Sequence, residues 1–215
     1  MTAGYERRGS SGKTANALQI GHSSPVTIVA IGGCASVGKS TLARALGQRL
    51  NMPNVVHVDD LRGEHERRYG PSFIDVTPNV WARDARWLCD SLIASTRGLR
   101  PSVAAAIQDL LVSCGRGIIE GEGIEPAVVD HPDVRSVYVI EDNAEQLHAT
   151  FAARLSAARF LALSVREQAG IVQMNRLYAI WLRSEAEGHG QPWIADRPWS
   201  TLADRAFAVI ADTSP

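Results

Sequence analysis

The sequence has few cysteines, no long apolar run and almost no net charge. Its three cysteines, Cys34, Cys89 and Cys114, are odd in number and lack the spacing of metal ligands, so we expect reduced thiols. No segment approaches the roughly 18 consecutive apolar residues of a transmembrane helix. The formal net charge of −1 gives no general attraction to nucleic acid or to an anionic membrane surface. We therefore expect neither nucleic acid nor a membrane as a partner.

The first 24 residues differ from the rest of the chain. They interleave glycine and serine with polar residues and show no sustained apolar period, which predicts a flexible tail over residues 1–24. A secretory signal needs an apolar core of about seven to fifteen residues, and this segment has none, so we expect a cytoplasmic protein. The remainder, residues 25–215, is predicted to form a single domain.

The most informative segment lies just after residue 32. It reads Gly33, Cys34, Ala35, Ser36, Val37, Gly38, Lys39, Ser40 and Thr41. This is the phosphate-binding pattern of a glycine, four residues and then Gly-Lys-Ser/Thr. Glycines allow backbone N–H groups to wrap a polyphosphate, and the following helix points its positive dipole end at the same anion. The lysine then reaches the β- and γ-phosphates, and the Ser40 hydroxyl is a ligand for Mg²⁺.

The flanking sequence supports this interpretation. A β-branched run over residues 26–31 is typical of a buried parallel strand, and apolar residues at helical spacing follow the loop over residues 42–50. Strand, glycine-rich loop and helix is the order that the motif requires. The segment therefore predicts that the chain binds a nucleoside triphosphate.

The rest of the chain alternates predicted strands with helical segments. Further strands are expected at residues 54–58, 117–121, 134–140 and 192–195, with another terminal element at 207–210. This alternation predicts an α/β fold with a five-stranded parallel sheet and helices on both faces. Because ligands of such sheets bind at the carboxyl ends of the strands, residues 33–40, 59–60 and 120–122 are expected around one crevice.

Two carboxylates, Asp59 and Asp60, follow the second predicted strand. Phosphoryl transfer to an alcohol needs a carboxylate that orients the hydroxyl and accepts its proton. Asp59 continues the strand toward the phosphate loop and is the preferred base, which also places it at the acceptor. Asp60 is then a magnesium ligand or a helix cap. The alternative is that both residues only cap a helix.

Other charged residues complete the predicted site. Glu120 lies on the third predicted strand, next to its carboxyl end, and is expected near Mg²⁺, together with Ser40 and Asp60. Glu122 and Arg62 are expected at the acceptor. Arg154 and Arg159 lie on and after the helix that follows strand four. They are expected to close over the triphosphate as a lid and to neutralise the charge of the transferring group. Alternatively, the acids are loop residues and the arginines belong to a solvated helix face.

These segments resemble small-molecule kinases of the phosphate-loop class. The run through Thr41 and the segment 57–61 resemble chloramphenicol phosphotransferase and shikimate or gluconate kinases, and the order of the later strands is similar to that in 2-phosphoglycerate kinases. The resemblance covers about residues 26–200 and implies a P-loop NTPase fold with a helical lid. It also implies ATP and Mg²⁺ as cofactors, an Asp base and lid arginines. The region 62–100 matches no acceptor motif of these families.

The leading hypothesis is therefore an ATP-dependent kinase that phosphorylates a hydroxyl of a small molecule, such as a metabolite, a sugar acid or an antibiotic. One alternative is a nucleoside or nucleotide kinase. Another is a nucleotide-dependent switch that acts on a protein partner. A GTPase is disfavoured because the Asn-Lys-x-Asp motif is absent from the sequence. A homodimer is left open beside a monomer.

Overall fold

The structure is a computed structural model that describes residues 28–70, 72–154 and 157–212. The predicted tail and the first residues of the predicted domain lie outside the described residues. No helix in the described part of the chain is long and apolar enough to cross a membrane.

A parallel sheet forms the centre of the described part. Its strands are β1 (Ile28–Gly33), β2 (Val55–His57), β3 (Gly117–Gly121), β4 (Val134–Ile140) and β5 (Trp193–Ala195). They pair in the order β2-β3-β1-β4-β5, and every pair is parallel. All residues of β1 and β3 are buried. An uninterrupted β-branched run suits a strand that is covered on both faces, and the predicted five-stranded parallel sheet is confirmed.

Helices cover the sheet. They are α1 (Lys39–Leu50), α2 (Val58–Tyr69), α3 (Phe73–Val76), α4 (Ala85–Gly98), α5 (Arg100–Asp109), α6 (Ala144–Ala153), α7 (Ala157–Leu161), α8 (Val165–Gly188) and α9 (Leu202–Asp212). Helices α1 and α9 pack together and against β3 and β4 respectively, while α8 packs on β4, α4 and α6. A core of buried apolar residues joins the sheet to α1, α4, α5, α8 and α9, and a second, smaller cluster joins α6 and α7 to α8.

The boundaries of several elements differ from the sequence prediction. Strand β2 ends at His57 and α2 begins at Val58, so Asp59 and Asp60 lie in the first turn of a helix instead of at the end of a strand. Residues 207–210 belong to α9 and do not form a separate terminal element. Helix α6 has a side-chain cap, because Asn143 accepts hydrogen bonds from two backbone N–H groups of its first turn.

The topology brings distant segments to one edge of the sheet. The loop after β1, the start of α2 after β2 and the segment after β3 all follow the carboxyl ends of neighbouring parallel strands. Ligands bind at this edge in open α/β sheets. The fold therefore positions a site there.

Candidate active site

A cavity of about 580 Å³ opens at the carboxyl edge of the sheet. Its walls are Ala35, Ser36, Gly38, Lys39, Ser40, Thr41, Asp59, Glu120, Gly121, Glu122, Thr150, Arg154, Trp199 and Leu202. They come from the phosphate loop, α1, α2, the end of β3, the end of α6 and the start of α9. Most of the predicted site residues therefore share one cavity.

Two glycines give the phosphate loop its shape. A Cβ on Gly33 would lie 2.6 Å from the carbonyl oxygen of Val139, which is closer than a carbon atom can approach. Gly38 has a φ of 90°, a backbone conformation that side chains disfavour. As the N-cap of α1, Gly38 supplies no side-chain hydrogen bond, so the first N–H groups of the helix are available to an anion.

Inside the loop, Lys39 and Cys34 have different surroundings. The Lys39 ammonium donates a hydrogen bond of 2.6 Å to the carbonyl oxygen of Cys34, so the side chain folds back over the loop. The Cys34 side chain is fully buried. Burial raises the pKa of its thiol to about 12. Cys34 therefore remains a protonated thiol that fills space beneath the loop and is no nucleophile at neutral pH.

A chain of three polar side chains lies beside the loop. The Ser40 hydroxyl donates to Glu120 Oε1 over 2.8 Å, and the same oxygen lies 2.6 Å from Nδ1 of His57. Glu120 is 4% exposed and stands next to His57 in the register of β2 and β3. A hydroxyl and a carboxylate suit Mg²⁺, which is usually held by one or two carboxylates together with substrate phosphates and water. The residues therefore fit the predicted ion.

The two neighbouring aspartates occupy different positions. Asp59 lines the cavity with the phosphate loop. Asp60 is exposed and does not line it. Successive residues of a helix point about 100° apart, so the first turn of α2 turns one carboxylate toward the cavity and the next one away from it.

The two predicted lid arginines also differ. Arg154 directly follows α6, lines the cavity, and donates from Nη1 to the Ser36 hydroxyl over 2.6 Å. Arg159 lies in α7, is exposed, and is absent from the cavity wall. The structure thus brings one of the two guanidinium groups to the phosphate loop.

Arg62 and Glu122 lie where this cavity meets a second one. Glu122 lines the first cavity, and Arg62 lines a cavity of about 390 Å³ between α2, α3 and α4. Their side chains form an ion pair of 3.8 Å, and both are 20% exposed. Arg62 Nη1 donates a long 3.4 Å bond to Ser95, and the buried Nη2 has no hydrogen-bond partner among the described residues. Nη2 of Arg62 can therefore donate a hydrogen bond to a further oxygen atom.

Sequence reasoning missed several residues of the site. Trp199 lines the cavity while half-exposed, and the Arg197 guanidinium lies 3.7 Å from its ring centroid. Arg197 Nη2 also donates to the Thr150 hydroxyl at 2.9 Å. The sequence signal for Trp199 was its place just after strand β5, whereas His57 becomes visible only from the strand register. An aromatic face in a cavity wall suits a planar ring of a ligand.

Two buried carboxyl groups, Glu141 and Asp196, lie near the segment that carries Trp199. Glu141 follows β4 and Asp196 follows β5. Burial, and to a smaller extent the neighbouring Asp196, raise the pKa of Glu141. Asp196 accepts a 3.2 Å hydrogen bond from the Trp199 indole N–H. Asp196 therefore holds the Trp199 indole at the carboxyl edge of the sheet.

Comparison with solved structures agrees with the architecture. A gluconokinase from Sinorhizobium meliloti 1021 has a TM-score of 0.52 and 14% identity, over 87% of this chain and 92% of that one. A shikimate kinase from Acinetobacter baumannii, solved with shikimate, has a TM-score of 0.47 and 15% identity, over 88% of this chain and 95% of that one. No protein-family model and no curated protein matches the sequence. The predicted α/β P-loop NTPase fold is confirmed.

Proposed function

We propose that the chain is an ATP-dependent kinase that transfers the γ-phosphoryl group to a hydroxyl of a small molecule. The observation that carries this proposal is that Asp59 shares one cavity with the phosphate loop. A loop that binds phosphate accounts for nucleotide binding alone, whereas a carboxylate in the same cavity adds a group that can accept a proton. The fold shared with a gluconokinase is compatible with this reaction.

Each residue of the candidate active site has its own role in the proposed reaction. The loop N–H groups and Lys39 bind the phosphates, and Ser40 and Glu120 hold Mg²⁺, which neutralises phosphate charge when it is bound. Asp59 orients the acceptor hydroxyl and takes its proton as the oxygen attacks the γ-phosphorus; the bond from that phosphorus to the β–γ bridging oxygen breaks, and ADP leaves. Arg154 stabilises the charge that spreads over the transferring group. Asp60 and Arg159, which lie outside the cavity wall, have no role in this mechanism.

The acceptor is proposed to enter from the second cavity. Arg62 follows Asp59 by three residues and therefore lies on the same face of α2. An acceptor held by Arg62 and Glu122 directs a hydroxyl toward Asp59 and the phosphate loop. The buried Nη2 of Arg62, which has no hydrogen-bond partner among the described residues, supports this placement.

The Arg62→Ala variant is expected to raise the KM for the acceptor about tenfold, because a hydrogen bond from a charged group is lost. The KM for ATP should stay near the wild-type value, since Arg62 lies outside the nucleotide cavity wall. Steady-state kinetics with each substrate varied in turn measures both constants. The control is Arg67→Ala, which removes an exposed arginine of the same helix that lines neither cavity. A higher KM for ATP instead of the acceptor would contradict this placement.

The proposed function is tested by acceptor-dependent release of ADP. Purified protein with ATP and Mg²⁺ is screened against sugar acids, other hydroxylated metabolites, hydroxyl-bearing antibiotics, nucleosides and nucleotides. We expect ADP release to require one acceptor class and to yield its phosphorylated product by mass spectrometry. Turnover with nucleosides or nucleotides only would favour the alternative kinase. ADP release without any small acceptor would favour a hydrolytic switch and overturn the proposal.

A further inference from the structure

One residue of the phosphate loop has a backbone conformation that its side chain disfavours. Ser36 has a φ of 74°. Left-handed conformations are unfavourable for residues with a Cβ, and glycine is the residue that adopts them readily. Elsewhere in the described ranges, the other non-glycine residues with positive φ are Asn51 and Asn79, and asparagine tolerates this conformation. The serine therefore has a cost that a glycine would remove.

The Ser36 side chain accepts a hydrogen bond, which a glycine at this position could not do. Its hydroxyl accepts the 2.6 Å hydrogen bond from Nη1 of Arg154, a residue 118 positions later in the chain. Both residues line the cavity of the phosphate loop. The bond therefore connects the loop directly to the segment that follows α6.

This contact does not neutralise the positive charge of Arg154. A serine hydroxyl is neutral, so it orients the guanidinium without neutralising it. Arg154 forms no ion pair within the part of the chain that the structure describes. A free arginine samples many rotamers, and ordering it when the nucleotide binds has an entropic cost. A partner that orders it beforehand removes part of that cost.

We propose that Ser36 is a positioning residue that holds Arg154 over the phosphate loop before the nucleotide arrives. The unfavourable backbone of Ser36 is offset by this contact, because a glycine at this position has no hydroxyl for the guanidinium. Ser36 acts through Arg154 and not on the phosphates itself. This inference rests on the proposed function, because an ordered guanidinium matters only if the loop binds phosphate.

The test is a double-mutant cycle between positions 36 and 154. The probe is the magnesium complex of AMPPNP, a triphosphate analogue that is not hydrolysed, titrated by calorimetry. Ser36→Ala keeps the Cβ and removes the hydroxyl, whereas Ser36→Gly removes both and suits the backbone. Each variant is expected to raise the Kd about two- to tenfold, the range for ordering one flexible side chain. In the Arg154→Ala background, the same substitutions should have no further effect.

Two controls separate the proposed role from other causes. Asn51→Gly relieves a positive φ at the end of α1, away from the cavity wall, and should leave the Kd unchanged. Arg159→Ala removes an equally charged side chain that does not line the cavity, and it should show no coupling to Ser36. For the two Ser36 variants, turnover is also measured with the acceptor that the screen identifies. Their kcat should fall by a larger factor than their KM for ATP rises, because Arg154 acts most strongly on the transition state.

The outcomes distinguish this inference from the proposed function. Equal losses from the Ser36 variants with and without Arg154 would show that Ser36 acts on the loop itself, and the inference would be wrong. Wild-type affinity in both Ser36→Ala and Ser36→Gly would show that the hydroxyl does not order Arg154, and would also overturn the inference. Failure of the wild-type protein to bind the analogue would refute the proposed function, and the inference with it.

Discussion

The Asp59→Asn variant is expected to bind MgATP like the wild type and to transfer phosphate about 10²- to 10⁴-fold more slowly, the usual contribution of a positioned general base. Asparagine keeps the shape of the side chain but does not accept a proton from the acceptor hydroxyl. Asp59 is exposed in the cavity wall, so the substitution should not disturb the core. Calorimetry of MgATP binding and acceptor-dependent ADP release measure the two quantities separately.

The matched control is Asp60→Asn, which makes the same chemical change one residue later in α2. Because Asp60 does not line the cavity, we expect near wild-type turnover. An inactive Asp60→Asn beside an active Asp59→Asn would reverse the assignment within the pair and leave the kinase proposal intact. If neither substitution slowed transfer, the first turn of α2 would not supply the base, and the mechanism proposed here would be wrong.

The Lys39→Ala variant is expected to fold normally and to lose about 10²-fold or more of its turnover, the typical contribution of a preorganised charge at the transferring group. The hydrogen bond of the Lys39 ammonium lies within the phosphate loop itself, to Cys34, so its loss should not weaken the packing of the sheet. Circular dichroism melting checks the fold, and acceptor-dependent ADP release gives the turnover.

Arg44→Ala is the control for the lost charge. Arg44 belongs to the same helix as Lys39, is exposed, and does not line the cavity. The control should therefore keep wild-type kinetics. Phosphoryl transfer by Lys39→Ala at a rate close to that of the wild type would contradict the assignment of residues 33–41 as the phosphate loop.

Elements with a strong local pattern were predictable from the sequence. Strands β3 and β4 have the bounds that their apolar runs predict, and the Asn143 cap is recognisable from a single residue before a helix. Glu120 was expected near Ser40 because the carboxyl ends of neighbouring parallel strands share one edge, and the structure places the two side chains in hydrogen-bond contact. In these cases, local chemistry and sheet topology suffice.

The start of α2 was harder to predict from the sequence. The valine-rich segment at residues 54–58 is compatible with a strand throughout, yet the helix begins at Val58, which packs in the core. A β-branched residue such as valine favours a strand and does not indicate where a helix begins. This one boundary decides how Asp59 and Asp60 are oriented, and sequence spacing does not provide it.

The sequence by itself determined the phosphate loop, the parallel α/β architecture and the edge of the sheet that carries the site, because each depends on residues that are neighbours in the chain or on the rules of strand connection. The tertiary structure alone decided which side chains from separate segments meet there: Arg154 and not Arg159, His57 beside Glu120, and Trp199 in the cavity wall. These meetings depend on strand register, on where each helix begins and on how the helices pack. A shift of a single residue along a helix turns a side chain by about 100°. A local sequence pattern does not define a helix boundary to one residue, so it does not define the direction in which a given side chain projects.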